Sequence, residues 1–359
     1  MKKYRYNNKF ITETGETFSY LDIAYHTWGE LNEERDNVIW VCHAFTANSD
    51  VAEWWPGMVG KGLMLDPSDY FIICANVIGS CYGSTGPLDI NPATGKPWLS
   101  DFPMITNRDH VRAHEILREY LGINSIHTVI GSSIGAHQAL EYSIMFPGII
   151  EKLVFIASNA LQSPWAIAFN ESQRLAIEAD PEFFGDDPEG GSRGLRAARS
   201  IALLSYRNQQ AYNKTQAEET DDKLDGFRAS SYQDYQGDKL VHRFNAWSYY
   251  TLTQLSDSHN VGRGRGGVIK ALRSIRAQTL CIGISSDILF PVKEQKFVAE
   301  YIPDACYEEI DSLYGHDGFL LETEQLTRLI KDFLSTPLSP ALIRHAVSLP
   351  KGGAVIHNS

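Results

Sequence analysis

From Asn37 to Phe155 the hydrophobic positions fall in short unbroken runs rather than in strict alternation. NVIWVCHAF, YFIICANVIG, IHTVIGS and KLVFIA each read as a strand buried on both faces. Before and after the third run, DHVRAHEILREYLG and GAHQALEYSIMFP have the spacing of amphipathic helices. This alternation predicts an α/β domain with a mostly parallel central sheet. From about Leu161 to Asn260 the rhythm stops, and the pattern is helical, polar and tyrosine-rich. GLRAARSIALLSYR and HRFNAWSYYTLTQL are its clearest helices. After the turn-rich VGRGRGG, strands return in TLCIGISS and CYEEID, with the helix VKEQKFVAEYI between them. The simplest partition is a core over 1–160 and 268–335, a helical lid inserted at 161–267, and a tail over 336–359 carrying Pro337, Pro340 and Pro350. There is no internal repeat.

A length of 359 residues suits one large or two ordinary domains, at roughly 150 residues each. The 44 acidic and 32 basic side chains give a net charge of −12. That balance argues against nucleic acid or an anionic membrane as partner, since both are polyanions. A polyanionic cofactor would need a locally basic pocket. Cysteines at 42, 74, 81, 281 and 306 form no paired motif, so no disulfide framework or zinc site is read. Cys42, Cys74 and Cys281 sit in apolar runs, as small core hydrophobes do. MKKYRYNNKF lacks the apolar stretch of a secretory signal. No apolar run reaches the roughly 18 residues that span a bilayer. A cytoplasmic, reduced protein is expected.

The strongest chemical signal is Gly131-Ser132-Ser133-Ile134-Gly135, between the strand IHTVI and a helix. That context makes G-x-S-x-G a nucleophile elbow, a sharp turn that lifts a serine oxygen clear of the sheet. Ser133 has glycine at both minus two and plus two, and Ser132 does not. A serine hydroxyl needs a base to take its proton and a third group to orient that base. In this fold class the order is Ser, then Asp or Glu, then His. Asp287 follows the strand TLCIGISS, and His316 lies in YGHDGF after CYEEID. Type, order and placement fit a catalytic triad. The oxyanion donors expected are the N–H groups of Ile134, next to the nucleophile, and of Phe45 in the loop after NVIWVC.

Further stretches accompany this constellation: His43-Ala44-Phe45-Thr46, Trp54-Trp55-Pro56-Gly57, Gly83-Ser84-Thr85-Gly86-Pro87 and Asn91-Pro92-Ala93-Thr94-Gly95. Gln138-Ala139-Leu140-Glu141 follows the elbow, then come Ala198-Arg199, Tyr206-Arg207, Ser286-Asp287, Leu289-Phe290-Pro291 and Gly315-His316-Asp317. In this ordered set the chain resembles the homoserine O-acetyltransferase family of the α/β-hydrolase superfamily. The resemblance implies acetyl transfer from acetyl-CoA to the hydroxyl of L-homoserine, a step of methionine biosynthesis, with no permanently bound cofactor and no metal. It also implies that Arg199 pairs with the substrate carboxylate, that Tyr206 assists it, and that Asp317 holds the end carrying amine and hydroxyl. A homodimer formed through the lid is implied in the same way. Ser132, Ile134 and Ala136 depart from the family's usual Gly, Met and Gly, and RFNAWSYY departs from its usual lid. The branched side chain at 134 leaves acetyl and succinyl donors both open.

Three alternatives stand beside that reading: a homoserine or serine O-succinyltransferase, a plain esterase, and a non-catalytic binding protein on the same scaffold. Gly262-Arg263-Gly264-Arg265-Gly266-Gly267 satisfies G-x-G-x-x-G but follows a helical stretch, so the dinucleotide reading fails. A solvated turn is expected there, with contact between its arginines and coenzyme A phosphates as the lesser alternative. His110 and His114 share a helix face without a third ligand, which disfavours a metal. The seven tryptophans are read as core and lid packing.

Overall fold

The computed structural model describes residues 1–185 and 187–338; beyond residue 338 the expected tail lies outside them. The chain opens with β1 (Lys2–Tyr6), a small hairpin of β2 (Phe10–Ile11) and β3 (Thr17–Phe18), and β4 (Leu21–Trp28). It continues through β5 (Val38–Cys42), β6 (Phe71–Ala75), β7 (Ile126–Ser132), β8 (Ile150–Ile156), β9 (Gln278–Ile284) and β10 (Ala305–Ile310). Outside the hairpin these make one eight-stranded sheet in the order β1-β4-β6-β5-β7-β8-β9-β10. β4 pairs antiparallel with both β1 and β6, and every later pairing is parallel.

The unbroken apolar runs have a direct cause: alternate residues of one strand enter different cores. Trp40 and Cys42 of β5 pack with Val111, Leu140 and Val298 on one face. Ile39 and Val41 pack with Val51, Leu326 and Ile330 on the other. Helices Asn107–Tyr120, Ile134–Met145 and Val292–Tyr301 cover the first face, and Thr323–Ser335 the second. Cys42, Cys74 and Cys281 are buried free thiols of these cores. Trp40, Trp55 and Trp247 are buried too, whereas Trp165 is half exposed and donates from its indole to Ile288 O.

The structure differs from the expected pattern in three places. β1 and β4 were not read as strands, because charged residues interrupt them. Across that edge Arg5 grips Asp22 with two hydrogen bonds of 2.7 and 2.8 Å, holding its carboxyl below the usual range. Helix Ile134–Met145 is buried nearly all round rather than amphipathic, because it lies between the sheet and helix Asn107–Tyr120, with His137 stacked on His259. Its Glu141 is matched by Arg108 and Arg265. Finally, HRFNAWSYYTLTQL is not one helix. Helix Arg228–Val241 ends first, and the Asn245 side chain accepts the Ser248 N–H at 2.7 Å to start Ala246–Asp257.

Between β8 and β9 lie the helices Pro164–Glu178, Ser192–Tyr206, Gln209–Thr215, Arg228–Val241 and Ala246–Asp257. They enclose a smaller apolar cluster that includes Phe183, Leu195 and Trp247. The two ends of this excursion meet: Leu161 bridges Asn260, the Gln162 N–H donates to His259 O, and the Val261 N–H donates to Ala160 O.

Five of the histidines buried among the described residues bear on stability: His43, His110, His114, His137 and His259. Burial pushes His43 down to about 4 and His110 and His137 to about 3, and holds His114 and His259 well below the ordinary value. In the unfolded chain each titrates near 6.5. Between those limits the unfolded chain binds protons that the native protein refuses, so stability falls as pH falls. The first three together give a slope of about 4 kcal/mol per pH unit. Tm is therefore expected to drop steeply between pH 6.5 and 5; a flat Tm across that window would contradict the neutral, buried state of these rings.

Candidate active site

Strand order reverses between β5 and β7: the chain leaves β5 for β6 on one side, then crosses to β7 on the other. In open α/β sheets the crevice at that reversal, beyond the carboxyl ends of the strands, is where ligands bind. The loop carrying Phe45 leaves β5 there, and Ser133 follows β7 without an intervening residue.

Ser133 has φ 56° and ψ −128°, the strained turn that starts helix Ile134–Met145. Its N–H donates to Ile156 O at 3.0 Å, and the Ser158 hydroxyl donates to its carbonyl at 2.8 Å, so neighbouring β8 clamps the turn. The flanking glycines answer to contacts. A Cβ on Gly131 would lie 2.2 Å from Gly135 O, and one on Gly135 would lie 2.1 Å from Cys42 O.

Asp287 and His316 come from the ends of β9 and β10. The Asp287 carboxylate receives the N–H groups of Leu289 and Phe290 at 2.8 and 2.9 Å through Oδ1. Its Oδ2 lies 2.7 Å from His316 Nδ1. An ionised carboxylate only accepts, so Nδ1 carries the proton and Nε2 is free to accept from the Ser133 hydroxyl, 2.9 Å away. All three side chains are buried, and the imidazole is walled by Phe290 and Phe319 at 5.3 Å each. The structure thus brings the three expected residues into one hydrogen-bonded chain.

Among the described residues, neither the Phe45 nor the Ile134 N–H donates to a protein acceptor. Sequence reasoning missed the residue that orients the first. Val77 N–H donates to His43 Nε2 at 3.1 Å, so Nδ1 of this neutral ring donates to Ala44 O at 2.9 Å. Carbonyl and N–H of a trans peptide point opposite ways. Fixing Ala44 O therefore turns the Phe45 N–H away from His43. His43 stood in a matched stretch, but nothing in its spacing marked this task.

Two cavities meet at Ser133, Phe45 and Tyr206. The larger, about 610 Å³, also holds Arg199, His316 and Asp317. The smaller, about 30 Å³, lies past Ile134. Arg199 and Tyr206 are seven residues apart on helix Ser192–Tyr206, and the guanidinium sits 5.4 Å from the Tyr206 ring centre. Arg199 has no ion pair among the described residues, and its buried Nε has no acceptor. Burial lifts the Tyr206 phenol above its usual range. Asp317 accepts from Arg207 Nε at 3.1 Å, a partner the sequence did not reveal because 110 positions separate them.

The G-x-G-x-x-G segment is a turn with Gly264, Gly266 and Gly267 exposed, as expected, but its arginines reach back into the protein. Arg263 binds Glu13 and Ser258 O, while Arg265 binds the buried Glu141 and Val261 O. These arginines are committed within the protein, and neither lines either cavity at Ser133. His110 and His114 are core residues; His110 meets Ile78 O at 3.1 Å and His114 packs on Trp40.

The fold and the Ser133–His316–Asp287 chain put the protein in the α/β-hydrolase class, and the family model for the alpha/beta hydrolase fold matches residues 37–323. The chain is 48% identical to the homoserine O-acetyltransferase of Cyclobacterium marinum over 321 residues, 89% of this chain and 91% of that one. It belongs to the homoserine O-acetyltransferase family. In architecture it is similar to the crystal structure of the homoserine O-acetyltransferase from Bacillus anthracis, with TM-score 0.87 at 24% identity over 94% of this chain and 98% of that one. Esterase E22 is also similar in fold, with TM-score 0.85 at 22% identity over 93% of this chain and all of that one. No helix among the described residues is long and apolar enough to cross a membrane.

Proposed function

We propose that this chain transfers an acetyl group from acetyl-CoA to the hydroxyl of L-homoserine, in methionine biosynthesis, through an acetyl ester on Ser133. The observation that carries this reading is the Ser133–His316–Asp287 chain opening into a cavity that also presents the unpaired Arg199. His316 takes the Ser133 proton as the oxygen attacks the thioester carbonyl. The Phe45 and Ile134 N–H groups receive the oxyanion. The thiol of coenzyme A leaves with the proton from His316. Homoserine then gives its hydroxyl proton to His316 and attacks the acetyl ester, and collapse returns that proton to Ser133. Arg199 grips the homoserine carboxylate, with Tyr206 beside it, and Asp317 takes the ammonium group.

The small cavity favours acetyl over succinyl. At about 30 Å³ it accepts a methyl group, and its lining of Ile134, Ala166, Phe169 and the amides Gln162, Asn170 and Gln173 holds no cation. A succinyl carboxylate would be buried there unpaired, at a cost of several kcal/mol. The same reading has the protein working in the cytoplasm as a homodimer through its insertion, where Trp165, Leu175, Phe184 and Leu204 are exposed.

The test is intact-protein mass spectrometry after brief mixing with acetyl-CoA. One acetyl group gained and then discharged by L-homoserine, but not by serine or water, is expected. An adduct with succinyl-CoA alone points to succinyl transfer, and discharge by water as fast as by homoserine points to an esterase. Arg199→Lys, which keeps the charge but loses the two-pronged grip, is expected to raise the homoserine KM by roughly 10- to 100-fold. A KM within twofold of the parent would remove Arg199 from the carboxylate site.

A further inference from the structure

Acetyl-CoA carries its reactive thioester at one end and a cluster of phosphates at the other. A chain with net charge −12 repels such a donor at a distance. If it is the donor, as the reading above holds, a basic patch must lie along its route to Ser133. The arginines of the G-x-G-x-x-G segment are excluded by their own ion pairs. The cavity that reaches Ser133 supplies another patch: besides Arg199, its lining includes Lys239 and Arg243.

Neither of these two cations is in an ion pair among the described residues. Lys239, near the end of helix Arg228–Val241, is exposed and has no carboxylate or hydrogen-bond acceptor among the described residues. The nearest acids in sequence, Asp234 and Asp238, are both held by Arg196. Arg243, in the connection before helix Ala246–Asp257, is also exposed and meets only neutral groups: Thr46 O at 2.5 Å, the Tyr82 hydroxyl at 2.6 Å and Thr46 Oγ1 at 3.4 Å. These bonds pin it across the cavity, from the insertion to the loop after β5. Two carboxylates share the lining. Asp317 is paired with Arg207 through one carboxylate oxygen, and Glu53 accepts from the Asn48 amide at 2.8 Å. The cavity, about 610 Å³, is of the size that takes an extended ligand arm.

We infer that Lys239 and Arg243 form the phosphate-binding subsite for the coenzyme A end of the donor, with the pantetheine arm running inward through the same cavity to Ser133. Arg243 presents a planar fork suited to phosphate oxygens and Lys239 a mobile point charge. Arg199, deeper beside Tyr206, is left to the acceptor carboxylate.

The test compares acetyl-CoA with S-acetylpantetheine, which has the same thioester and arm but no phosphate. In the parent protein acetyl-CoA is expected to have the higher kcat/KM. Lys239→Ala and Arg243→Ala are each expected to lower the ratio of the two kcat/KM values about tenfold. Lys239→Glu, at an exposed side chain that makes no hydrogen bond or ion pair among the described residues, is expected to keep the fold and to lower it further. Raising the ionic strength should erode the parent's preference for acetyl-CoA and leave less to erode in the variants. A ratio unchanged in all three variants, in protein that still turns over acetyl-CoA, overturns the subsite while sparing the proposed reaction. Failure of the parent protein to transfer acetyl from either thioester overturns the proposed reaction itself, and the subsite with it.

Discussion

Ser133→Ala is expected to take up no acetyl group from acetyl-CoA and to lose acetyl transfer to homoserine by at least about four orders of magnitude. The size of the loss follows from the geometry. The Ser133 oxygen receives no other base than His316 Nε2 at 2.9 Å, and His316 is in turn fixed by Asp287 at 2.7 Å. Removing the oxygen leaves the imidazole nothing to activate. Alanine keeps the Cβ in the strained turn, and the clamps from Ile156 and Ser158 act on the backbone, so thermal unfolding should be nearly unchanged. Residual transfer within tenfold of the parent would mean that another nucleophile carries the acetyl group.

The second large effect is on stability. Gly135→Ala places a Cβ 2.1 Å from Cys42 O and 2.9 Å from His43 O, both backbone atoms at the end of β5. Neither can swing aside as a side-chain tip would. Relief requires separating the elbow from the strand beside it, at an expected cost of at least about 4 kcal/mol. Gly95→Ala is the control: Gly95 has φ 70°, but a Cβ there meets nothing within 4 Å. It is expected to lose only the backbone strain, about 1–2 kcal/mol. Urea unfolding of the pair separates close approach from conformational strain, and equal losses would show that the contact with β5 relaxes freely.

What the sequence disclosed depended on whether a residue's reason was local. β5 to β8 were legible because both faces of the sheet are covered, which removes polar residues from the strand interior. The elbow was legible because Gly131 and Gly135 answer to atoms within a few residues or on the adjoining strand. β1 and β4 were hidden by charges such as Arg5 and Asp22, which satisfy each other only after the strands pair. The capping role of Asn245 was masked by a helical pattern running across it. Arg207 and Arg265 were out of reach for another reason: their partners, Asp317 and Glu141, are more than a hundred positions away. A positive charge in isolation does not say whether it is spent inside the fold or kept for a ligand. That difference separates Arg265 from Arg243.

The bridge between Leu161 and Asn260 has a consequence for how such proteins diversify. Because the excursion departs and returns at one point, β8 and β9 pair as though joined by a short connection. Neither their register nor the placement of Ser133 and Asp287 depends on how many residues are spent in between. Mutation, lengthening or replacement of that segment can alter which molecules reach the serine without disturbing the atoms that react. A transferase and an esterase can therefore share one scaffold and diverge chiefly in a part that the sheet holds by its two ends.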